Sequence, residues 1–256
     1  MTIHDVEVAR RAAHAAAQVL LELRARGQFT GRELGDAGDA AAQRAIVASL
    51  AADRPEDVVF SEEALDDPRR LRADRVWIVD PLDGTREYGE VPRHDWAVHV
   101  ALWEHGDLTA AAVALPGLAE ILVTDPVPQL PPRADGPVRI AVSRSRPAAE
   151  SSAVAEALGA ELVPLGSAGY KTVAVARGEV DAYVHSGGQY QWDSAAPVAI
   201  ARAAGLTTCR IDGSPLVYND PDPWLPDLVV CRPELADAIL DAVRPRTAPE
   251  KTESIA

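Results

Sequence analysis

The stretch Trp77-Ile78-Val79-Asp80-Pro81-Leu82-Asp83-Gly84-Thr85-Arg86-Glu87 is an apolar run ending in two carboxylates three residues apart, the second followed by glycine. Pro81 fixes φ between them, so the segment turns as a rigid unit. Asp80 and Asp83 can then face one point, with the Leu82 carbonyl as a third hard oxygen, the donor type that Mg²⁺ prefers. Beyond Gly84, Thr85 to Tyr88 can open a helix whose free N–H groups favour a phosphate. Asp-Gly is also a leading two-residue hairpin signal, so a plain turn is the competing reading. Two more acidic sites bear on the choice. Glu62 and Glu63 follow the apolar run Val58-Val59-Phe60, and Asp193 follows Gly187-Gly188-Gln189-Tyr190-Gln191-Trp192. Taken singly, the glutamates read as solvated loop charges and Asp193 as a helix N-cap.

Outward from this stretch the chain reads as two parts. Apolar residues at steps of three and four predict a helix from Val6 to Leu23, stopped by Gly27, and a second from about Asp39 to Ala52, with Asp39 at its start and Pro55 beyond its end. Strands are predicted at Val58–Phe60, Val76–Val79, Trp96–Leu102, Asp107–Leu115 and Ala119–Val123. Residues 125 to 137 hold five of the 20 prolines and can enter neither a helix interior nor a central strand. They are read as the connection between a subdomain at residues 1–124 and another at 138–244. In the second, strands (Val138–Ser143, Glu161–Pro164, Val180–Val184, near Leu206, Asp227–Cys231) alternate with helices (Ala148–Leu158, Ala168–Ala176, Trp192–Ala204, Pro233–Val243), which predicts an α/β layered arrangement. Residues 245–256 read as a disordered tail.

The chain has 256 residues, with 25 Lys+Arg against 39 Asp+Glu and a net charge of −14. Nucleic-acid polymers and anionic membranes, which need a basic footprint, are therefore not expected partners. With 47% hydrophobic residues a chain of this length buries roughly 70–75% of its unfolded surface. Acidic residues near Met1 and the lack of a long apolar run predict a cytoplasmic protein with neither signal peptide nor membrane span. Cys209 and Cys231 are too few for a disulfide framework. The six histidines form no HExxH pair, and neither a G-x-S-x-G elbow nor a Walker A sequence is present.

The ordered set Ser61-Glu62-Glu63, Trp77 to Thr85 and Trp192-Asp193-Ser194-Ala195-Ala196 resembles the inositol monophosphatase superfamily of Mg²⁺-dependent phosphatases. Within it, Gly166-Ser167-Ala168-Gly169-Tyr170-Lys171 and Val142-Ser143-Arg144-Ser145 are similar to segments of the CysQ-type 3′(2′),5′-bisphosphate nucleotidases. Leu34 to Asp39 and Asp95-Trp96-Ala97-Val98-His99 resemble their actinobacterial members. The resemblance implies an αβαβα layered sandwich. It implies two or more Mg²⁺ held by Glu62, Asp80, the Leu82 carbonyl, Asp83 and Asp193, with Glu63 just behind them. It also implies an Asp39–Thr85 pair for proton handling. Asp39 as a helix N-cap stays open beside that role.

The implied reaction is hydrolysis of the 3′-phosphate of 3′-phosphoadenosine 5′-phosphate, an inhibitory by-product of sulfate assimilation, and of its sulfated form. Water attacks the phosphorus in line, with no phosphoenzyme. Gly84, Thr85, Ser167, Lys171 and Arg144 are the expected substrate contacts, and a homodimer is compatible. One departure is clear. Between Asp181 and Trp192 the chain lacks the glutamate that inositol phosphatases use on a sugar hydroxyl, which leaves Gln189 and Tyr190 as candidates to meet ribose or base. The rival readings are an inositol 1-phosphate or fructose 1,6-bisphosphate phosphatase and a non-catalytic nucleotide or metal sensor. Two carboxylates 4 Å apart repel by about 4 kcal/mol at an effective dielectric near 20, so such a cluster needs cations.

Overall fold

Two five-stranded sheets organise the computed structural model, which describes residues 4–244. The first has the order β1-β2-β3-β4-β5, from β1 (Val58–Ser61), β2 (Arg75–Asp83), β3 (Ala97–Glu104), β4 (Asp107–Leu115) and β5 (Glu120–Val123). Only β1 and β2 run parallel in it. The second has the order β7-β6-β8-β10-β9, from β6 (Arg139–Ser143), β7 (Glu161–Leu165), β8 (Ala182–Tyr190), β9 (Thr207–Cys209) and β10 (Trp224–Cys231). Helices α1 (Asp5–Arg26), α2 (Gly31–Asp53), α3 (Thr85–Gly89), α4 (Ala149–Leu158), α5 (Ala168–Ala176), α6 (Ala195–Ala203) and α7 (Ala236–Val243) complete the framework. Residues 124–138 contribute no helix or strand, and the expected tail at 245–256 lies outside the described residues.

Strand alternation sorts the core into three seams, because successive side chains point to opposite faces. Trp77, Val79, Val98, Val100 and Leu102 face α1 and α2, whereas Val76, Ile78, Ala97 and Ala101 face the opposite way toward α5 and α6. In the second sheet Tyr183, Leu228 and Val230 share that central seam, and Ile140, Val184 and Val229 face α4 and α7. The layers are therefore helix, sheet, helix, sheet, helix, the α/β sandwich implied by the sequence. The central seam joins both sheets through α5 and α6.

Several boundaries differ from expectation, among them that the helix expected at Pro233–Val243 splits into a 3₁₀ turn, Pro233–Leu235, and α7. Helix α2 begins at Gly31, with Thr30 as its N-cap, so Asp39 lies in mid-helix and is not a cap. Gly35 and Gly38 depress local helix propensity, but a Cβ at Gly38 would lie 2.7 Å from Tyr88 and one at Gly35 2.6 Å from Thr85. These glycines let α2 approach α3. Strand β2 runs on through Asp83 and then enters α3 across Gly84, whose φ is +88°, so Asp83-Gly84 is not a hairpin turn. Strand β8 continues through Gly187 and Gly188 to Tyr190. The helix expected to open near Asp193 splits into a 3₁₀ turn, Gln191–Asp193, and α6.

Replacing Gly38 by Ala should cost net stability of about 1 kcal/mol, an overpacking penalty of about 1–3 kcal/mol offset by the helix propensity gained. A lower urea midpoint with unchanged slope checks this, and an unchanged midpoint contradicts the close approach of α2 to α3.

Candidate active site

Strand β2 delivers Asp80 and Asp83 to one end of the first sheet, and the register opposite them slips: Asp80 pairs with His99 and Asp83 with Ala97. That slip brings both carboxylates onto His99. Its Nδ1 lies 3.9 Å from Asp80 Oδ2 and its Nε2 3.4 Å from Asp83 Oδ2. All three side chains are buried, and each offers a ligand atom within 4.8 Å of the others'. Asp80 is fixed by accepting a hydrogen bond from the Leu82 N–H at 3.0 Å. Asp83 is gripped by the start of α5, accepting from Ser167 Oγ, from the Ala168 N–H at 3.1 Å and from the Gly169 N–H. The second sheet's half of the chain thus orients a carboxylate of the first.

Further carboxyls crowd the same point. Glu62 is exposed as a residue, yet its carboxyl shares a hydrogen bond with Asp80 and its pKa is pushed up to about 7, by desolvation first and then by Asp39, Asp83 and Glu63. Asp193 rises to about 8 through burial and the neighbouring charges of Asp83 and Glu62, against a hydrogen bond from the Tyr190 N–H. Asp80 is held well above the ordinary carboxylate range by burial and by Glu62, Asp83 and Asp193. Asp39 rises to about 7 through burial and Glu63, with the Thr85 side chain pulling it back. Asp39 Oδ1 and Asp80 Oδ2 are buried without hydrogen-bond partners. Crowded carboxylate oxygens that lack donors fit a hard divalent cation.

Asp193 is held from several sides. Its Oδ2 accepts from the Tyr190 N–H at 2.6 Å. Gln191 donates to the carbonyls of Asp220 and Asp222 and accepts from the Asn219 N–H at 2.6 Å. Ser194 Oγ meets Tyr218 Oη at 3.1 Å. The loop at 219–221 is bound in turn by Arg70, fully buried over the Phe60 ring, through Asn219 Oδ1 and the carbonyls of Asp220 and Pro221. Arg70 belongs to the segment that follows Glu62, so one polar strap fastens the glutamate loop to the Asp193 turn.

The remaining expected residues fall as follows. Glu63 is exposed, close enough to Asp39 to raise its pKa. Thr85 Oγ1 donates to the Leu82 carbonyl at 3.1 Å, and Gly84 approaches Ser167 closely. The Ser167 hydroxyl, expected at the substrate, is spent on Asp83 and on capping α5, where it accepts from the Tyr170 N–H. Lys171 is 4% exposed; its Nζ donates to the Gly166 and Ser167 carbonyls, and burial lowers its pKa to about 8 against Asp83, Glu87, Asp95 and Asp193. Arg144 departs from expectation, because Glu87 at 2.6 Å and Glu90 at 2.8 Å already neutralise its guanidinium. Arg146, two residues on, is exposed, and among the described residues no carboxylate pairs with it.

His99 and the Arg70 strap were not foreseen as site residues. His99 stands in the Asp95–His99 segment, but nothing local shows that its Nδ1 meets the Trp192 carbonyl at 3.2 Å, or that a Cβ on Gly169 would lie 2.0 Å from its Nε2. Two adjoining clefts open beside the carboxylates. One of about 550 Å³ is lined by Asp193, Ala168, Tyr183, His185 and Gln189 among others, and one of about 490 Å³ by Glu87, Arg144 and Gly166 among others. Ser143, Arg146 and Lys171 line both.

A layered α/β sandwich with a buried carboxylate centre at the mouth of an interlayer cleft defines the class. The chain belongs to the inositol monophosphatase family, which it matches over residues 1–128 and 133–247. It is 48% identical over 237 residues, 89% of each chain, to the 3′-phosphoadenosine 5′-phosphate phosphatase of Mycobacterium tuberculosis. To the 3′(2′),5′-bisphosphate nucleotidase CysQ of Escherichia coli K12 it is 32% identical over 203 residues, covering 74% of this chain and 81% of that one. Among solved structures, CysQ from Bacteroides thetaiotaomicron superposes with a TM-score of 0.73 at 26% identity, covering 89% of this chain and 97% of that one. Among the described residues no helix is long and apolar enough to cross a membrane.

The raised carboxyls give a signed pH dependence. Asp39, Glu62 and Asp193 titrate near 4 when unfolded but near 7 to 8 when folded, so the folded metal-free protein binds more protons across that window. Their stabilising contribution is complete below about pH 4 and is lost as pH rises through 7 to 8. Lys171, lowered to about 8, acts only above that window. Melting of chelator-treated protein should therefore move to lower temperature between pH 5.5 and 8. Added Mg²⁺ should raise Tm more at pH 8 than at pH 6, since protons compete for the same oxygens. A Mg²⁺ response independent of pH would contradict this linkage.

Proposed function

We propose that the chain is a Mg²⁺-dependent phosphatase that removes the 3′-phosphate of 3′-phosphoadenosine 5′-phosphate, releasing AMP and inorganic phosphate in the cytoplasm, and that also accepts the sulfated nucleotide. The observation that carries this reading is the juxtaposition of a carboxylate centre at Asp80 and Asp83 with a cleft whose shared wall bears Lys171 and Arg146. A phosphoryl group at the carboxylates and a second phosphate near the two cations suit a nucleoside bisphosphate. The family relatives named for that substrate or for CysQ support it, the first of them over 89% of the chain. The inositol or fructose phosphate alternative is not favoured, and the missing sugar-binding glutamate agrees.

Glu62, Asp80, Asp83, Asp193 and the Leu82 carbonyl would hold the cations, two or more of them. Bound Mg²⁺ supplies Lewis-acid stabilisation of charge on the phosphoryl oxygens. The chain's own groups do the rest. Ser167 and Gly169 keep Asp83 oriented from α5. The Thr85 hydroxyl donates to the Leu82 carbonyl and lies beside Asp39; turned to donate to Asp39 instead, it frees a lone pair for a proton of the attacking water and passes its own proton to Asp39. Asp39 takes the Thr85 proton as the water loses its own. The N–H groups of Gly84 and Thr85 meet phosphate oxygens. Lys171 steadies the distal phosphate, and Arg146 takes the role expected of Arg144.

Phosphate release with Mg²⁺ from the adenosine bisphosphate, inositol 1-phosphate and fructose 1,6-bisphosphate, side by side, tests the reading. The bisphosphate nucleotide should lead in kcat/KM; faster turnover of either sugar phosphate would overturn it. Thr85→Ala should lower kcat by roughly 10²–10⁴-fold while metal binding persists, and near wild-type turnover would remove Thr85 from proton handling. Arg146→Ala should raise KM for the nucleotide roughly tenfold with inositol 1-phosphate unaffected, whereas Arg144→Ala should not discriminate between the two.

A further inference from the structure

Gln189 lies on β8 in the wall of the larger cleft and is only 6% exposed. Both polar atoms of its carboxamide, Nε2 and Oε1, are buried with no hydrogen-bond partner. Gln191, two residues on, shows the contrast, since its amide is committed to three backbone groups. A sealed carboxamide with its whole hydrogen-bonding capacity unused is costly, and native proteins keep such groups where something else completes them.

The surroundings say what chemistry that partner has. Tyr190 and Trp224 are 43% and 45% exposed, their rings edge to face at 5.5 Å, with Tyr190 stacked on Trp192 at 4.8 Å. The Trp224 indole lies against the backbone of β8 because Gly188 has no side chain; a Cβ there would sit 1.6 Å from the ring. Gly188 is held by its carbonyl, which meets His185 Nε2 at 3.0 Å. Asp193, Lys171 and Arg146 line the same cleft. A flat, partly apolar molecule with a donor and an acceptor side by side on one edge, joined to phosphates, matches this wall.

We propose that Gln189 reads the base of the substrate, a 6-aminopurine. Turned into the cleft, its carboxamide accepts at Oε1 from the exocyclic amino group and donates from Nε2 to the adjacent ring nitrogen, with Trp224 and Tyr190 lining the same cleft. A sugar phosphate offers no planar edge of this kind. The assignment rests on the nucleotide reading of the site and adds to it the group that distinguishes base from sugar.

Calorimetric titration with AMP examines the base contact without turnover. Gln189→Ala should weaken AMP binding roughly tenfold, raise KM for the adenosine bisphosphate by a similar factor with kcat within about twofold, and leave inositol 1-phosphate kinetics unchanged. Gln189→Glu, whose carboxylate cannot donate to a ring nitrogen, should lose as much. The same AMP affinity in wild type and variant overturns the proposal, as do equal losses on nucleotide and inositol substrates; the amide then serves only the fold. Failure of the nucleotide reading looks different. The wild type would then turn over inositol 1-phosphate as readily as the bisphosphate, and the AMP titration would still decide Gln189.

Discussion

Mutual repulsion among carboxylates is the constraint on which the rest of the structure depends. Asp39, Glu62, Asp80, Asp83 and Asp193 come from α2, the turn after β1, β2 and the turn before α6, and folding forces them together against their charge. Apart from the hydrogen bond that Glu62 shares with Asp80, their charges oppose the approach, so the surrounding scaffold must impose it. It does so with directed hydrogen bonds: backbone N–H groups on Asp80, Asp83 and Asp193, and the Ser167 hydroxyl on Asp83. Strain of this kind is useful in an enzyme, because whatever cation relieves it is bound tightly and in one place.

The layered core serves that purpose. The central seam is shared between the sheets, so α5 can present its first residues to β2 while its apolar side stays buried. Glycine occurs where helices must come within backbone distance of the centre, at Gly35 beside Thr85 and at Gly169 beside His99. A side chain at either glycine would have to push Thr85 or His99 away by several tenths of an ångström or more.

What could be read from the sequence was what is local. Asp80 and Asp83 are three residues apart around a proline, and the turn it imposes brings to one side two carboxylates that strict strand alternation would put on opposite faces. The helices with clear periodicity, α1 and α5, were legible for the same reason. The sequence pattern starts α2 too late, near Asp39, because Gly35 and Gly38 suppress helix propensity, and only the tertiary contact with α3 restores the helix. Arg144 and Arg146 look alike in sequence; the pairing of one with Glu87 on α3 and Glu90 just beyond it is a fact of three dimensions. His99 faces Asp80 through a strand register that no single-chain pattern reveals.

The Arg70 strap has a consequence for biosynthesis. Arg70 reaches Asn219 across 149 positions of chain, and the Asp193 turn leans on the same loop through Gln191. During synthesis the earlier acids emerge from the ribosome long before the segment that clamps them is made. A growing polypeptide therefore carries these acids without a finished cage until the segment around Asn219 has left the tunnel.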